Sequence, residues 1–195
     1  MKPLEIQLKS ILALQPPCLR ITVPESYRDS NGHMNLRWYA SIFVDACYPL
    51  HERLGLTSEF HKARRTGTMD LENHFNYVHE VMPGDRLAVY ARFVARSARR
   101  MHYLMFMVDE TRERLAAIFE SINSYVDLKV RKTAPFPEEI AAKIDAEVAA
   151  GAALDWPAPL CGVMCPESMI GTHTGQGTYD TPGYPSISGI RSGRA

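Results

Sequence analysis

The sequence has no excess of charge of either sign. Its 195 residues contain 22 Lys and Arg against 22 Asp and Glu, so the formal net charge is zero when histidine is neutral. Proteins that bind nucleic acid or anionic lipid through their overall electrostatic field carry a basic surplus. We therefore expect neither a nucleic acid nor a membrane surface as a partner.

Long hydrophobic runs are missing as well. No apolar stretch approaches the ~20 residues of a membrane-spanning helix, and the apolar patch at residues 11–14 is too short for a signal-peptide core. An apolar content of 46% with 23% charged residues is typical of a soluble globular protein. We expect a cytoplasmic protein with a lead-in at residues 1–18, one domain at 19–150 and an irregular tail at 151–195.

Cysteine is scarce and scattered. Three residues separate Cys161 from Cys165, and no second pair completes a tetrahedral zinc site. Cys47 falls on an apolar helical face, where a buried thiol behaves as a small hydrophobe. The sequence therefore predicts no metal site and no disulfide framework.

What the sequence does contain is a polar turn followed at once by a long helix with an apolar stripe. Asn35, or a residue just before it, is predicted to cap this helix, and Gly55 to end it. Pro49 lies inside the helix and should kink its last turn. Six apolar residues, in two series spaced by seven, define one wide buried face: Leu36, Ala40, Phe43, Cys47, Leu50 and Leu54.

Beyond a polar connection at residues 57–66, the period of the pattern changes from helix to strand. A short strand is predicted before the long helix, at residues 19–23, and a second helix begins at Glu138. Tight turns between successive strands indicate an antiparallel sheet, which one long helix can cover on one face. The predicted fold is α+β, one helix wrapped by a curved sheet of about five strands. The four long strands are predicted at residues 68–78, 87–96, 101–108 and 115–128.

The sheet face turned away from the long helix carries both apolar and polar side chains. It carries Tyr90, Val94 and His102. Because a large aromatic and an aliphatic side chain there need cover, we expect a second subunit to pack against this face.

The turn before the helix brings together a carboxylate and an imidazole. Asp29, ionised at neutral pH, can act as a general base or as a nucleophile, and His33 can orient it or the substrate. Backbone N–H groups of residues 34–36, at the positive end of the helix, can stabilise an oxyanion. Structural roles suit the same residues: a loop aspartate, a histidine bonded to loop carbonyls, a tight turn at Gly32 and a helix cap at Asn35.

Residues spread over 19–145 carry a family resemblance. They are the run Asp29-Ser30-Asn31-Gly32-His33-Met34-Asn35, then Tyr39 and Phe43 in the helix, and Glu72, His74, Tyr77, Glu80, Gly84 and Asp85 in the sheet. With a strand before the helix and four strands after it, this set resembles the hotdog-fold acyl-CoA thioesterases, specifically the 4-hydroxybenzoyl-CoA thioesterase-like branch. The D-x-N-G-H-M-N form is especially similar to the betainyl-CoA thioesterases.

The resemblance implies hydrolysis of a CoA thioester without a cofactor, in a site between two subunits of a homodimer or homotetramer. A small cationic acyl group would find a partner in a carboxylate such as Asp70 or Glu72. The expected catalytic residues are Asp29, His33 and Asn35, and the expected substrate-binding residues are Gly32, Met34, Tyr39, Glu72 and His74. The expected contacts to CoA phosphates are Arg92, Arg96, Arg99 and Arg100, which equally suit a solvated sheet edge.

Two other functions remain open from the sequence. The same fold would support hydration or dehydration of an acyl thioester, or binding of acyl-CoA without catalysis. Release of free CoA separates hydrolysis from both.

Overall fold

The computed structural model describes residues 6–14 and 16–166, which contain four α-helices, a short 3-10 helix (Glu25–Tyr27) and six strands. The helices are α1 (Leu8–Leu12), α2 (Leu36–Arg53), α3 (Ser58–Arg64) and α4 (Glu138–Ala152). The strands are β1 (Leu19–Thr22), β2 (Thr66–Tyr77), β3 (Arg86–Arg96), β4 (Arg100–Asp109), β5 (Arg114–Asp127) and β6 (Lys132–Thr133). None of the described helices is long and apolar enough to cross a bilayer.

The strands form a single antiparallel sheet in the order β1-β3-β4-β5-β2, with β6 paired to β5. The predicted α+β class, the five strands and the long helix are therefore confirmed, whereas α1 and β6 were not predicted. β2 is an edge strand, since its partner among the described residues is β5 alone. This open edge lies beside the candidate site described below.

α2 packs on one face of the sheet, here called the inner face. The rings of Phe43 and Phe119 stack with centroids 5.1 Å apart. The prediction that Leu36 belongs to the buried stripe is wrong, because its side chain is 59% exposed and the stripe begins at Tyr39. The buried residues of α2 are Tyr39, Ile42, Phe43, Ala46, Cys47, Leu50 and His51.

The expected polar connection at residues 57–66 is also wrong, because it contains α3. The Thr57 hydroxyl accepts a hydrogen bond from the Phe60 N–H at 3.1 Å and caps this short helix. Arg65 ends it in the left-handed conformation, with φ of 55°. Phe60 is the one large apolar residue of α3. The sequence therefore has no apolar stripe there from which this helix could be predicted.

The outer face of the sheet, opposite α2, is covered by the chain itself. Residues of β3, β4 and β5 form the cluster there: Ala88, Tyr90, Leu104, Phe106, Val108 and Ile118. The lead-in and the segment after α4 pack against it through Ile6, Leu8, Ile11, Leu14, Trp156, Ala158 and Leu160. The expected second subunit is thus corrected to these two segments of the same chain. The rest of the predicted tail, residues 167–195, lies outside the described residues.

Candidate active site

Asp29 lies in a tight turn that its own backbone closes. The Asp29 N–H donates to the His33 carbonyl at 2.9 Å, and the Gly32 N–H donates to the Asp29 carbonyl at 3.1 Å. Gly32 has φ of 89°, a conformation that costs glycine little. The Asn31 N–H donates to Asp29 Oδ1 at 2.8 Å, and His33 Nδ1 lies 3.3 Å from Asp29 Oδ2. The carboxylate is thereby oriented while its side chain remains 15% exposed.

Arg28 braces the turn from outside. Its Nη1 donates to the Gly32 carbonyl at 2.8 Å, and its Nε and Nη2 donate to the two carboxylate oxygens of Glu25 at 2.5 and 3.0 Å. Hydrogen bonding to Arg28 lowers the pKa of the Glu25 carboxyl. The guanidinium therefore fixes the turn without contacting Asp29's carboxylate.

The start of α2 leaves one backbone donor free. The Met34 N–H donates to the Val81 carbonyl at 2.7 Å, and the Asn35 N–H donates to the Tyr27 carbonyl at 2.9 Å. The Leu36 N–H begins the helix and has no acceptor among the described residues. Of the three N–H groups predicted to stabilise an oxyanion, Leu36 alone is available.

Asn35 caps α2 as predicted. Its side-chain oxygen accepts a hydrogen bond from the Arg37 N–H at 3.1 Å. The next residue of the helix, Trp38, stacks on the Tyr27 ring with centroids 3.8 Å apart. The cap and this stack fix the direction in which the helix starts relative to the Asp29 turn.

A cavity of about 340 Å³ opens beside Asp29 and the first turn of α2. The Tyr39 hydroxyl lies 3.5 Å from the His79 carbonyl, and burial raises the pKa of Tyr39, so this phenol is protonated. His79 Nδ1 donates to the Leu115 carbonyl at 2.8 Å, which fixes the imidazole orientation. The lining residues are Asp29, His33, Met34, Asn35, Leu36, Tyr39, Tyr77, Val78, His79 and Glu80.

The sequence identified half of this lining. Asp29, His33, Met34, Asn35 and Tyr39 border the cavity, and Gly32 shapes the turn behind them. Leu36 was predicted through its backbone N–H alone. The missed residues are the four that end and follow β2, namely Tyr77, Val78, His79 and Glu80. Tyr77 and Glu80 belong to the resemblance motif, which was the available signal for that wall.

Glu72 and His74 do not border the cavity. The pairing of β2 with β5 is irregular between Asp70 and Glu72, so one extra residue reverses the alternation of faces. Asp70 pairs with Asn123 on the inner face, whereas His74 pairs with Glu120, which points outward. The uninterrupted alternation predicted for residues 68–78 is therefore wrong, and a substrate contact from Glu72 or His74 remains a prediction.

Arg92, predicted to bind CoA, is buried on the outer face. Its guanidinium donates to the carbonyls of Trp156 and Gly151, both at 2.9 Å. It also lies over the Trp156 ring, 4.4 Å from the centroid. Arg92 thus holds the segment after α4 against the sheet.

The other three predicted arginines lie around the β3–β4 turn. Arg96 forms a bidentate pair with Asp145 of α4 at 2.6 and 2.5 Å, and Arg100 is buried and donates to the Pro166 carbonyl at 3.1 Å. Arg99 is exposed. Binding of CoA by this cluster remains a prediction.

The arginine turn and the Asp29 cavity are at opposite ends of the sheet. Arg100 pairs with Ser124 of β5, whereas Tyr77, at the cavity, pairs with Ala117. Seven residues of strand separate Ala117 from Ser124, which corresponds to about 23 Å. Within one subunit, one ligand group therefore cannot contact both.

A long helix wrapped by a curved antiparallel sheet is the architecture of the hotdog-fold thioesterases. Residues 23–144 match the thioesterase-like superfamily. The chain belongs to this family and is a thioester hydrolase.

Curated relatives include the betainyl-CoA thioesterase of Pseudomonas aeruginosa, 30% identical over 129 residues that cover 66% of this chain and 81% of that protein. The L-carnitine dehydrogenase/betainyl-CoA thioesterase of Rhizobium meliloti is 26% identical over 135 residues. That match covers 69% of this chain and 27% of the longer relative.

Solved structures share the fold. A Staphylococcus aureus protein in complex with CoA superposes with a TM-score of 0.66 at 24% identity, covering 71% of this chain and 87% of its own. A candidate thioesterase of Pseudomonas putida superposes with a TM-score of 0.63 at 26% identity, covering 75% and 95%.

Proposed function

We propose that this enzyme hydrolyses an acyl-CoA thioester to the free acid and CoA, with Asp29 as general base or nucleophile. The observation that supports this proposal most directly is that the oriented Asp29 carboxylate and the free Leu36 N–H border the same open cavity. Two kinds of support point to CoA: the names of the curated relatives and the CoA bound to a protein of the same fold.

The Leu36 N–H suits the thioester oxygen, because the positive end of α2 stabilises the negative charge that develops there. One such donor contributes about 3 kcal/mol to the transition state. As a base, Asp29 takes a proton from the attacking water. As a nucleophile, it attacks the carbonyl carbon and forms an anhydride, which water then hydrolyses. In both routes the C–S bond breaks and CoA leaves as a thiolate that takes up a proton.

We propose that the site is shared by two subunits of a homodimer. The free edge of β2 ends at Tyr77, on the cavity wall, and offers unpaired backbone groups to a second strand. Large apolar side chains are exposed on this strand, on the residue after it and on α2: Leu36, Val44, Tyr48, Met69, Leu71, Tyr77 and Val78. A twofold axis that pairs two copies of β2 would cover these side chains and complete the open side of each cavity.

Among the arginines predicted to bind CoA, Arg99 is the exposed one. We therefore retain Arg99 as the proposed phosphate contact. The Arg92, Arg96 and Arg100 guanidiniums already bind groups of the same chain.

Release of free thiol from a panel of short, polar and aromatic acyl-CoAs tests the proposal. Hydrolysis predicts equal amounts of CoA and free acid for at least one member of the panel. A hydrated or dehydrated thioester without free CoA would assign a hydratase or dehydratase instead. Tight binding without turnover, unchanged by Asp29→Ala, would assign a non-catalytic acyl-CoA-binding module.

A further inference from the structure

One wall of the Asp29 cavity is the chain that leaves β2, residues 78–80, here called the wall segment. This segment is bound to the start of β5. The Val78 N–H and the His79 N–H both donate to the Ala116 carbonyl, at 2.9 and 3.1 Å. The His79 imidazole donates through Nδ1 to the Leu115 carbonyl at 2.8 Å. Backbone and side-chain hydrogen bonds thus fix the first two residues of the wall segment.

An irregularity in β5 lies where the wall segment begins. The pairing of β5 with β4 skips Ala116, since the residues on either side of it pair with Met107 and Val108. The pairing of β2 with β5 ends close by, at Tyr77 opposite Ala117. Bulges of this kind redirect a strand and are common next to active sites. This one presents the carbonyl to which both wall N–H groups donate.

The third residue of the wall segment is held by a charged side chain. Arg114 Nη2 donates to the Glu80 carbonyl at 2.7 Å, and Arg114 Nε lies 3.5 Å from Asp109 Oδ2. Asp109 is fully buried, and neither Nε nor Oδ2 has a hydrogen-bond partner among the described residues. The attraction between the two charges, strong in a buried environment, therefore holds the guanidinium, and its short hydrogen bond goes to the wall segment.

The anchor of Arg114 is itself fixed. Asp109 Oδ1 accepts hydrogen bonds from the Thr111 N–H at 3.0 Å and the Arg112 N–H at 3.1 Å. The Arg112 guanidinium lies 3.5 Å from Asp109 Oδ2 and also contacts the Asp85 carboxylate. Asp85 Oδ2 in turn accepts from the Met82 N–H at 2.7 Å. This network ties the chain after the wall segment to the turn between β4 and β5.

The wall segment faces the first turns of α2 across the cavity. The rings of Tyr39 and Tyr77 meet edge-on with centroids 5.2 Å apart, and the Tyr39 hydroxyl lies 3.5 Å from the His79 carbonyl. Leu36 and Tyr39 border the cavity on the α2 side. Because the buried stripe of α2 fixes the helix on the sheet, the position of the wall segment determines the width of the cavity.

We propose that Arg114 is a positioning residue of this enzyme, and that its bond to the Glu80 carbonyl limits the size of the acyl group that the cavity accepts. Arg114 is not among the residues that border the cavity, so it acts through the wall segment rather than on the substrate. The inference rests on the proposed hydrolysis.

Arg114→Met tests whether the bond fixes the wall segment, because methionine keeps an apolar stem and removes every donor. Amide hydrogen exchange at residues 78 and 79 should accelerate at least about tenfold in this variant. Arg20→Met is the matched control, since Arg20 on β1 forms a surface ion pair with Glu110, beside Asp109, and its side chain is 56% exposed. Its exchange at residues 78 and 79 should equal that of the wild type.

Selectivity for acyl size tests the role in function. We expect the ratio of kcat/KM for hexanoyl-CoA to kcat/KM for acetyl-CoA to rise at least about fivefold in Arg114→Met and to stay at the wild-type value in Arg20→Met. A variant that is only less stable loses the same fraction of activity on both thioesters, which leaves this ratio unchanged. Unchanged exchange at residues 78 and 79, equal acceleration in both variants, or an unchanged ratio in folded Arg114→Met would overturn the inference.

A double variant keeps the test independent of folding. Arg114→Met leaves the buried Asp109 carboxylate with Arg112 alone, which is destabilising. Asp109→Asn combined with Arg114→Met removes the buried charge together with its partner and keeps the Oδ1 acceptor. We expect the same changes in exchange and in selectivity, and their absence would again overturn the inference.

Failure of the proposed function would look different. If the wild type hydrolyses neither thioester, hydrolysis of these acyl groups is refuted, and the ratio of their dissociation constants replaces the ratio of kcat/KM. Faster exchange together with a shift of at least about fivefold toward hexanoyl-CoA in Arg114→Met would support the role of Arg114 in a binding protein. Equal dissociation-constant ratios in Arg114→Met and the wild type would refute it.

Discussion

At the scale of single residues, burial decides the protonation of the polar groups behind α2. His51 is 8% exposed, and its ring lies 6.2 Å from that of Tyr103 with an edge-on geometry. Desolvation disfavours the imidazolium, so the pKa of His51 falls from 6.5 to about 4. The neutral imidazole can therefore be buried on the inner side of α2 without a counter-ion.

This burial predicts a loss of stability in mild acid. In the unfolded chain His51 takes up a proton near pH 6.5, whereas in the folded protein it does so near pH 4. The free energy of unfolding should therefore fall by about 3 kcal/mol as the pH drops from 6.5 to 4, and His51 should contribute no further change below that range. Urea denaturation at a series of pH values measures the slope.

His51→Gln should flatten that slope between pH 6.5 and 4. His74→Gln is the control, because His74 is exposed on the edge strand. If the slope of the His51 variant equalled that of the control, the imidazole would not be the group responsible.

Local sequence revealed the residues of one wall of the site and not the other. Asp29, His33 and Asn35 lie within seven positions, so their proximity follows from one turn and one helix start. The wall made by residues 77–80 depends on where β2 ends, and the bulge before Glu72 decides which side chains of β2 face α2. The end of β2 and the position of its bulge cannot be predicted from the alternation of apolar and polar residues alone, because a bulge adds a residue without changing the composition of a strand.

At the scale of elements, α2 connects the core to the chemistry. Its buried stripe fixes the helix on the sheet, and its first turn presents the Leu36 N–H to the cavity. Asn35 holds that turn through its hydrogen bond to the Arg37 N–H. The cap therefore serves stability and, through the helix start, the position of the proposed oxyanion donor.

Asn35→Ala should lower the free energy of unfolding by about 1 kcal/mol, because the Arg37 N–H loses its acceptor. Asn35→Ser is the matched variant, since a serine hydroxyl can accept the same hydrogen bond. Thermal unfolding of both variants, combined with kcat/KM, separates two roles. Recovery of stability and activity together in Asn35→Ser indicates a cap alone, and recovery of stability without activity indicates an additional contact to the substrate. Unchanged stability in Asn35→Ala would contradict the capping role.

The strands were predictable because β3 alternates cleanly and the β4 sequence is almost wholly apolar, the pattern of a strand covered on both faces. α3 and β6 were not. α3 carries no apolar stripe, and β6 has two residues and depends on its pairing with β5. Such elements are stabilised by tertiary contacts, which short-range sequence patterns do not record.

At the scale of the whole molecule, the β2 edge of the sheet is open, whereas the outer face of the sheet is covered. The outer face is covered by the lead-in and by the segment that Arg92 and Trp156 anchor. The β2 edge keeps its exposed apolar residues and borders the cavity. We therefore propose that subunits associate through β2, and that the outer face plays no part in the dimer.

Met69→Lys should weaken the dimer, because Met69 is a 52% exposed apolar residue on the free edge strand and lysine on an edge discourages strand pairing. Val130→Lys is the control, since Val130 is 63% exposed in the turn after β5. Sedimentation equilibrium should show a shift toward monomer for the first variant alone, with a parallel loss of activity. A wild-type monomer, or equal dimer in both variants, would contradict association through β2.

The central claim is that the Asp29 carboxylate performs the chemistry. The most direct measurement is kcat/KM for thiol release from the best acyl-CoA of the panel, in Asp29→Asn and in Asp155→Asn, whose aspartate is exposed on the segment after α4. A base or nucleophile at this position predicts a loss of at least about 100-fold for Asp29→Asn, with thermal stability retained and wild-type activity in the control. A folded Asp29→Asn enzyme that hydrolyses the thioester at the wild-type rate would contradict the account.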